Sequence, residues 1–318
     1  MKRLLLMLLG IGLVFAGCGE GDVGDSNVVI TVEDPEAVNP VDLVLSAVEQ
    51  TEAATSFRID MELRLTGVPL VGDLIQPASI EQAANGDNSL VVDLSDATIG
   101  GESSPSELVD YVFEMRQVGD LLYIFLPKEE MVKFAETPWV SVARDQVSEE
   151  ELDYFQGFDP NEQLNFLLAT DEDATISLGE KVKDVAATRV SGESTFKDVL
   201  NSLDVEERQE MLDSFVSDFA SQNASEEEIM SHLEKLHIEF DAWIGDDGYI
   251  LREIIVMKNL YKFLVAVDSE LRDEMDEFDD FVMSFETYFF DYGVPITIAA
   301  PPPEDVTPYE GSLDDLLS

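Results

Sequence analysis

The stretch Phe57-Arg58-Ile59-Asp60-Met61-Glu62-Leu63-Arg64-Leu65 decides the fold class of this chain. Large apolar side chains alternate with charged ones without a break. Successive side chains of a strand point to opposite faces, so this segment is a strand with one dry and one wet face, as antiparallel sheets have. The same period recurs along the chain. Leu90 and Val92 follow the turn residues Asn85-Gly86-Asp87, and Val109, Tyr111, Phe113 and Met115 alternate with polar residues. Gly119-Asp120 turns the chain into Leu121 to Leu126, and Trp139 to Val142 is a further short strand. Residues 174–182 and 186–197 read as a pair joined near Lys183-Asp184. Ile238, Phe240, Ala242 and Ile244 lead through Gly245-Asp246-Asp247-Gly248 into a return strand from Tyr249 to Met257. Phe281, Met283, Phe285 and Phe289 give a last long strand, and Ile296-Thr297-Ile298 a short one.

Between these strands the period changes. Residues 41–54 place Val41, Leu43, Val44, Leu45, Ala47 and Val48 at largely helical spacing, which predicts a first helix. Val205 to Ala220 has Met211, Leu212, Phe215, Val216 and Phe219 on one face. Ser225 with Glu228 then forms a capping-box start for a helix reaching Leu236. About ten short antiparallel strands with helices at the start and middle indicate an α+β fold built on one large sheet, in a single domain. Twisted sheets of this size curl, and the 41–54 helix and the 204–236 pair are the candidate covers for the apolar side.

The chain has 318 residues and a formal net charge of -50, from 68 acidic against 18 basic side chains. That balance excludes nucleic acid as a partner, because phosphate binding needs Lys and Arg to displace counterions. It also argues against electrostatic docking on anionic lipid headgroups. Hydrophobic residues make up 45%, and 18 Phe with 8 Tyr suffice for a core, so the chain is folded rather than disordered. Residues 268–280 are strongly acidic and read as a solvated excursion, and the acidic surface as a whole predicts dependence on salt.

The first residues read MKRLLLMLLGIGLVFAGCGE. Lys2 and Arg3 precede a twelve-residue apolar run, Leu4 to Phe15. That run is too short for a bilayer core, which needs about 20 residues, and has the layout of a secretory signal peptide. Cys18 is the single cysteine, so no intramolecular disulfide is possible. Phe15-Ala16-Gly17-Cys18 resembles the bacterial lipobox, where the cysteine is acylated and the chain is cut between Gly17 and Cys18. The expectation is a signal peptide at 1–17, an acylated Cys18 with a flexible tether to residue 40, a domain over 41–303, and an acidic tail over 304–318. Two or more acyl chains such as palmitate anchor a protein stably where one does not. The implied place is the bacterial cell envelope outside the cytoplasm, at the outer membrane if the host has one.

Catalytic patterns are weak. Gly192-Glu193-Ser194 begins G-x-S-x-G, but Phe196 stands at the closing glycine. Ser194-Thr195-Phe196-Lys197 matches S-x-x-K, a motif that needs a helix where the alternation here predicts a strand. His232 and His237 are the only histidines, in no zinc-binding pattern, and no calcium loop or phosphate loop is present. With 68 carboxylates, close acidic pairs have no specificity for catalysis. The expectation is therefore no enzyme, no cofactor and no metal. What stands out is the apolar side of the strands, which is either core or the lining of an acyl-chain cavity. The lining candidates are Ile59, Met61, Leu63, Phe113, Met115, Phe240 and Phe285.

Four segments also carry a family resemblance. After the lipobox cysteine, tether and first helix comes Ser56-Phe57-Arg58-Ile59-Asp60. Val118 to Ile124 is followed by Pro138-Trp139-Val140, then Ala242 to Glu253, and last Phe290-Asp291-Tyr292-Gly293-Val294-Pro295-Ile296-Thr297-Ile298 with prolines behind. This order resembles the LppX/LprG-type lipoproteins, relatives of the LolA and LolB lipoprotein carriers. The resemblance spans residues 41–303 and implies a strongly curved antiparallel half-barrel closed by helices around a lipid-binding cavity. It implies a membrane-anchored protein whose partner is a lipid or acylated molecule, with carriage across the envelope as the further step. The helical segment 204–236 and the acidic run 268–280 depart from the pattern. The alternative is a non-enzymatic envelope sensor or interaction protein on the same scaffold with a filled core.

Overall fold

The structure is a computed structural model that describes residues 38–68, 72–93, 98–99, 102–103, 112–126, 136–147, 164–205, 208–209, 211–212, 226–260, 262–263, 282–309 and 311. The signal segment, Cys18, the tether, Val109, Tyr111, Ser225, Phe281 and the acidic run 268–280 lie outside the described residues. The strands are β1 (Phe57–Val68), β2 (Gly72–Gln82), β3 (Asn88–Asp93), β4 (Thr98–Ile99), β5 (Glu102–Ser103), β6 (Val112–Val118) and β7 (Leu121–Phe125). They continue as β8 (Trp139–Ala143), β9 (Thr175–Val182), β10 (Val185–Thr195), β11 (His237–Gly245), β12 (Ile250–Lys258), β13 (Val282–Phe290) and β14 (Val306–Pro308). The α-helices are α1 (Pro40–Glu52), α2 (Phe196–Ser202) and α3 (Glu226–Leu233).

One path of hydrogen-bonded neighbours runs β14-β8-β7-β6-β3-β2-β1-β13-β12-β11-β10-β9, with β4 and β5 as a side branch on β2. Among the described residues the path is open, and its two ends do not pair. β1, the strand that announced the fold, lies mid-sheet between β2 and β13. Ile59 pairs with Phe289, Met61 with Thr287 and Leu63 with Phe285. Every pairing along the path is antiparallel except that of β14 with β8, which is parallel.

α1 starts where its chemistry directs. Asn39 accepts a hydrogen bond from the Val41 N–H at 3.0 Å, and Pro40 supplies a pre-set first turn. Leu43, Val44, Ala47 and Val48 are buried beneath it. Each Leu or Val so buried contributes about 1.5–3 kcal/mol, far more than the cap. α2 begins with a capping box in which Thr195 and Asp198 satisfy each other's backbone N–H groups. Buried residues of all three helices join the same hydrophobic cluster as the inward side chains of the sheet, so all three cover one face.

The structure departs from the sequence reading in several places. β2 is a full strand that no alternation announced, because Pro77 interrupts it and Gln76 occupies a buried position. Pro77 lies opposite Glu62 of β1, at the break between the β4 and β3 pairings on its other side, where a missing N–H is tolerated. The expected strand at 186–197 gives way to a helix after Thr195, since the Thr195–Asp198 box ends the ladder. Within the helix expected at 205–220, the described residues Val205, Arg208, Gln209, Met211 and Leu212 are helical. Ile296-Thr297-Ile298 pairs with no strand among the described residues. Ile296 and Ile298 instead pack on Ala83 and Val118, and the Arg116 guanidinium donates to the Ala299 carbonyl at 2.9 Å. The sheet also continues beyond residue 303. Val306–Pro308 adds β14, and Tyr309 N–H donates to the Ser141 carbonyl at 2.9 Å. Among the described residues the sheet holds fourteen strands rather than about ten, twelve of them in one path whose ends stay apart, and the helices cover one of its faces.

The wet face of the sheet is stitched by cross-strand ion pairs. Arg58 reaches Glu81 at 2.7 Å and Asp291 at 2.6 Å, and Arg252 reaches Glu286 at 2.7 Å. Arg189 meets Asp241 at 2.7 Å. The Arg189 and Arg252 guanidiniums lie over the Trp243 ring at 5.1 and 4.3 Å from its centroid. A chain with so few cations has spent most of its described ones on holding its own carboxylates, not on a binding patch.

Candidate functional site

The dry face is one continuous apolar surface. From the β8 end it runs Val140, Ile124, Met115, Leu90, Ile80, Ile59, Phe289, then Ile255, Phe240 and Val190 at the β10 end, all buried in a single cluster. Registry makes it continuous: Ile124 pairs with Val140, Met115 with Ile124, Leu90 with Met115, and Ile255 with both Phe285 and Phe240.

The seven lining candidates all stand on this face. Ile59, Met61, Leu63, Met115, Phe240 and Phe285 are buried, and Phe113 is partly buried against the same cluster. They are packed together with helix residues rather than arrayed around a described void.

The described helices concentrate on one part of the surface. α1 packs on β11 and β12, α2 on β10, and the 3-10 turn Asn165–Ala169 touches α1, α2 and β11. Twelve strands in a row span about 55 Å across the sheet.

Buried polar side chains interrupt the dry face at Gln76, Ser194, Thr287 and Glu253. Glu253 on β12 is fully buried, paired across the ladders with Ala242 of β11 and Thr287 of β13, each also 0% exposed. Burial pushes its pKa up to about 8, moderated by the Thr287 hydroxyl. Neither carboxyl oxygen makes a hydrogen bond of ordinary geometry among the described residues. Close by, Thr51 of α1 accepts the Ile250 N–H at 3.0 Å, and the Tyr292 hydroxyl donates to the Ile250 carbonyl at 2.6 Å. Burial likewise pushes the Tyr292 hydroxyl well above the usual tyrosine range, and the negative side of Glu253 adds to it. Tyr249 stacks on Tyr292 at 4.3 Å between centroids.

Sequence reading missed Glu253 and Thr287. Thr287 shares the phase of Met283, Phe285 and Phe289, and Glu253 that of Ile255 and Met257, so both occupy positions of an apolar series. A register irregularity between Trp243 and Ile244 shifts the pairing near Ile250, which blurs that phase when strand β12 is counted from its start.

Among the described residues, two clefts open on the wet face. One of about 570 Å³ is lined by Asp171, Asp173, Glu193, Glu239 and Asp241 with Ile254 and Val256 at its floor. The other, about 460 Å³, lies between the sheet and the strap Thr297-Ile298-Ala299. Beside the first, Glu193, His237 and Glu239 bring one ligand atom each within 4.8 Å of one another, and Lys258 is bonded to Glu239. That Lys258 contact holds the Glu239 carboxyl below its usual range and competes with any cation. The S-x-x-K residues are not a catalytic pair: Lys197 turns outward to Glu234 at 3.1 Å, while the Ser194 hydroxyl is buried.

No protein-family model matches the chain, and no curated protein matches it. Solved structures do. LprF from Mycobacterium bovis is 13% identical with a TM-score of 0.40, covering 84% of this chain and 98% of that one. The Mycobacterium tuberculosis lipoprotein LppX is 12% identical with a TM-score of 0.35, covering 82% and 98%. A LolA superfamily protein from Nitrosomonas europaea is 11% identical with a TM-score of 0.23, covering 84% and 97%. With TM-scores of 0.40 and below, these likenesses carry no argument about this chain, and what its sheet does has to come from its own side chains.

Proposed function

We propose that this chain is a membrane-anchored envelope lipoprotein, tethered through acylated Cys18, that holds the acyl chains of a lipid or lipid-modified molecule between the dry face of its sheet and the helices. It is not an enzyme, and carriage of the ligand across the envelope is the step such a site serves. The observation that supports this reading is the dry face itself, a single cluster of buried apolar side chains that runs from β8 to β10 among the described residues. Each CH2 taken out of water contributes about 0.8 kcal/mol, so a long acyl chain needs no charged partner to bind tightly.

Native mass spectrometry of the chain from residue 18 onward, carrying Cys18→Ser and purified from a bacterial host, tests it. A stoichiometric adduct that organic solvent extracts as lipid is the expected result. A bare mass that stays unaltered after incubation with diverse lipids overturns the reading. The close packing of the lining candidates against the helices favours a second reading in that event, a sensor or interaction protein with a filled core. Metabolic labelling with palmitate tests the anchor: label is expected on the full chain and lost in Cys18→Ser.

A further inference from the structure

We propose that Glu193, His237 and Glu239 form a binding site for a transition-metal dication, zinc above all, on the wet face of β10 and β11. The site lies across the sheet from the dry face and stands whatever that face holds.

The ladder itself builds the ligand set. His237 and Glu239 stand two residues apart on β11 and so share one face, and Glu193 of β10 is paired in register with Glu239. Like charges directly opposite one another destabilise a ladder, and a cation between them reverses the sign. The His237 Nε2 lies 3.5 Å from the Glu193 Oε2 and 3.5 Å from the Glu239 Oε1. All three ligand atoms fall within 4.8 Å of one another. Ligands held at about 2.1 Å around a tetrahedral ion stand about 3.4 Å apart, so both edges from the imidazole already have the spacing of a zinc site. Three protein ligands leave the fourth position to water. Two ligands on one strand and a third across the ladder form no zinc pattern in the sequence, which is why only the register reveals them.

The surroundings select a cation, and the imidazole selects its kind. Glu193 and Glu239 line the cleft of about 570 Å³ together with Asp171, Asp173 and Asp241, so an ion reaches them from solvent. Among the described residues, Lys258 is paired with Glu239 and Arg189 with Asp241, which leaves the cleft negative. Calcium and magnesium take oxygen ligands, whereas imidazole suits zinc and its neighbours. Lys258 holds the same Glu239 oxygen that faces His237, so it competes with the ion for that atom. The two side chains of that pair are 41% and 42% exposed, and an ion pair so open to water is weak.

The test titrates Zn2+ and, separately, Ca2+ into the chelator-stripped Cys18→Ser chain by calorimetry, beside His237→Ala, His232→Ala, Glu193→Gln and Lys258→Met in the same background. One equivalent of Zn2+ should bind above a weak background that Ca2+ reproduces. Loss of an outer partner alone costs a metal site about 10–100-fold, so His237→Ala and Glu193→Gln should each weaken the zinc step by at least about tenfold. His232 stands on α3, and His232→Ala should leave the step unchanged. Lys258→Met should tighten it, a gain that damage to the fold cannot mimic. Zinc binding no tighter than that of calcium, a zinc step undiminished in His237→Ala or lost in His232→Ala, or no gain in Lys258→Met would each overturn the site. Should His237→Ala not fold, Glu193→Gln and Lys258→Met still decide.

Discussion

Replacing Glu253 by glutamine should flatten a loss of stability that the unaltered chain suffers as pH rises. In the unfolded chain this carboxyl loses its proton near its ordinary value of 4.5, but in the folded protein burial holds the proton to about 8. Between those values the folded state binds a proton that the unfolded state has released, so stability falls with rising pH. Below the lower value both states are protonated and the contribution is fully present. Above the upper value it is gone. Each pH unit in the window removes about 1.4 kcal/mol, and the whole window about 5 kcal/mol as an upper figure. Urea unfolding at a series of pH values, with the unaltered chain and Glu253→Gln side by side, reads this directly. The many exposed carboxylates contribute equally to both proteins and cancel in the difference. The difference in unfolding free energy should move by several kcal/mol across the window, in favour of the glutamine protein at the alkaline end. Two curves that stay parallel would refute the reasoning and mean that Glu253 is ionised and hydrated in the folded state.

Three further outcomes follow from the packing and the charge. A Cβ added to Gly192 would lie 2.4 Å from the Phe240 ring, so Gly192→Ala should destabilise by about 1–3 kcal/mol, and Phe240→Leu should recover part of the loss in thermal unfolding. Thr195→Ala removes the capping box of α2 and should cost about 1 kcal/mol in denaturant unfolding, with little change in the slope. The net charge of -50 predicts that the unfolding midpoint rises as sodium chloride is added from low ionic strength, and a midpoint indifferent to salt would count against self-repulsion as a destabilising force.

How far the sequence could be read depended on whether a feature is local. β1 was legible because Phe57 to Leu65 declares both faces within nine residues, and hairpin turns such as Gly119-Asp120 and Gly245 to Gly248 mark their own ends. Alternation alone put the seven lining candidates on one face of the sheet, and that face is the buried one. β2 was hidden because a proline sits within it and its tolerance comes from a gap between two neighbouring strands that lie elsewhere in the chain. α2 was hidden by a polar–apolar pattern that continues that of β10, and only the Thr195–Asp198 box separates them. The course of Ile296 to Ile298 was misread for a similar reason. Its alternation is real, but the apolar side packs on Ala83 and Val118 across the sheet instead of joining it.

By itself, the sequence determined that this chain is a folded, strongly acidic, antiparallel sheet protein with a lipobox-like start and no motif for nucleic acid, metal or nucleophilic catalysis. These follow from composition and from a two-residue period, which any single strand carries within itself. Only the tertiary structure decided that the sheet is open, that its dry face is continuous from β8 to β10, and that Glu253 sits within it. Those depend on which strands become neighbours and in what register. A glutamate between Arg252 and Ile254 is unremarkable as text. It becomes a buried, pKa-shifted group because ladder pairing sets it between Ala242 and Thr287, beside a helix from the start of the described chain.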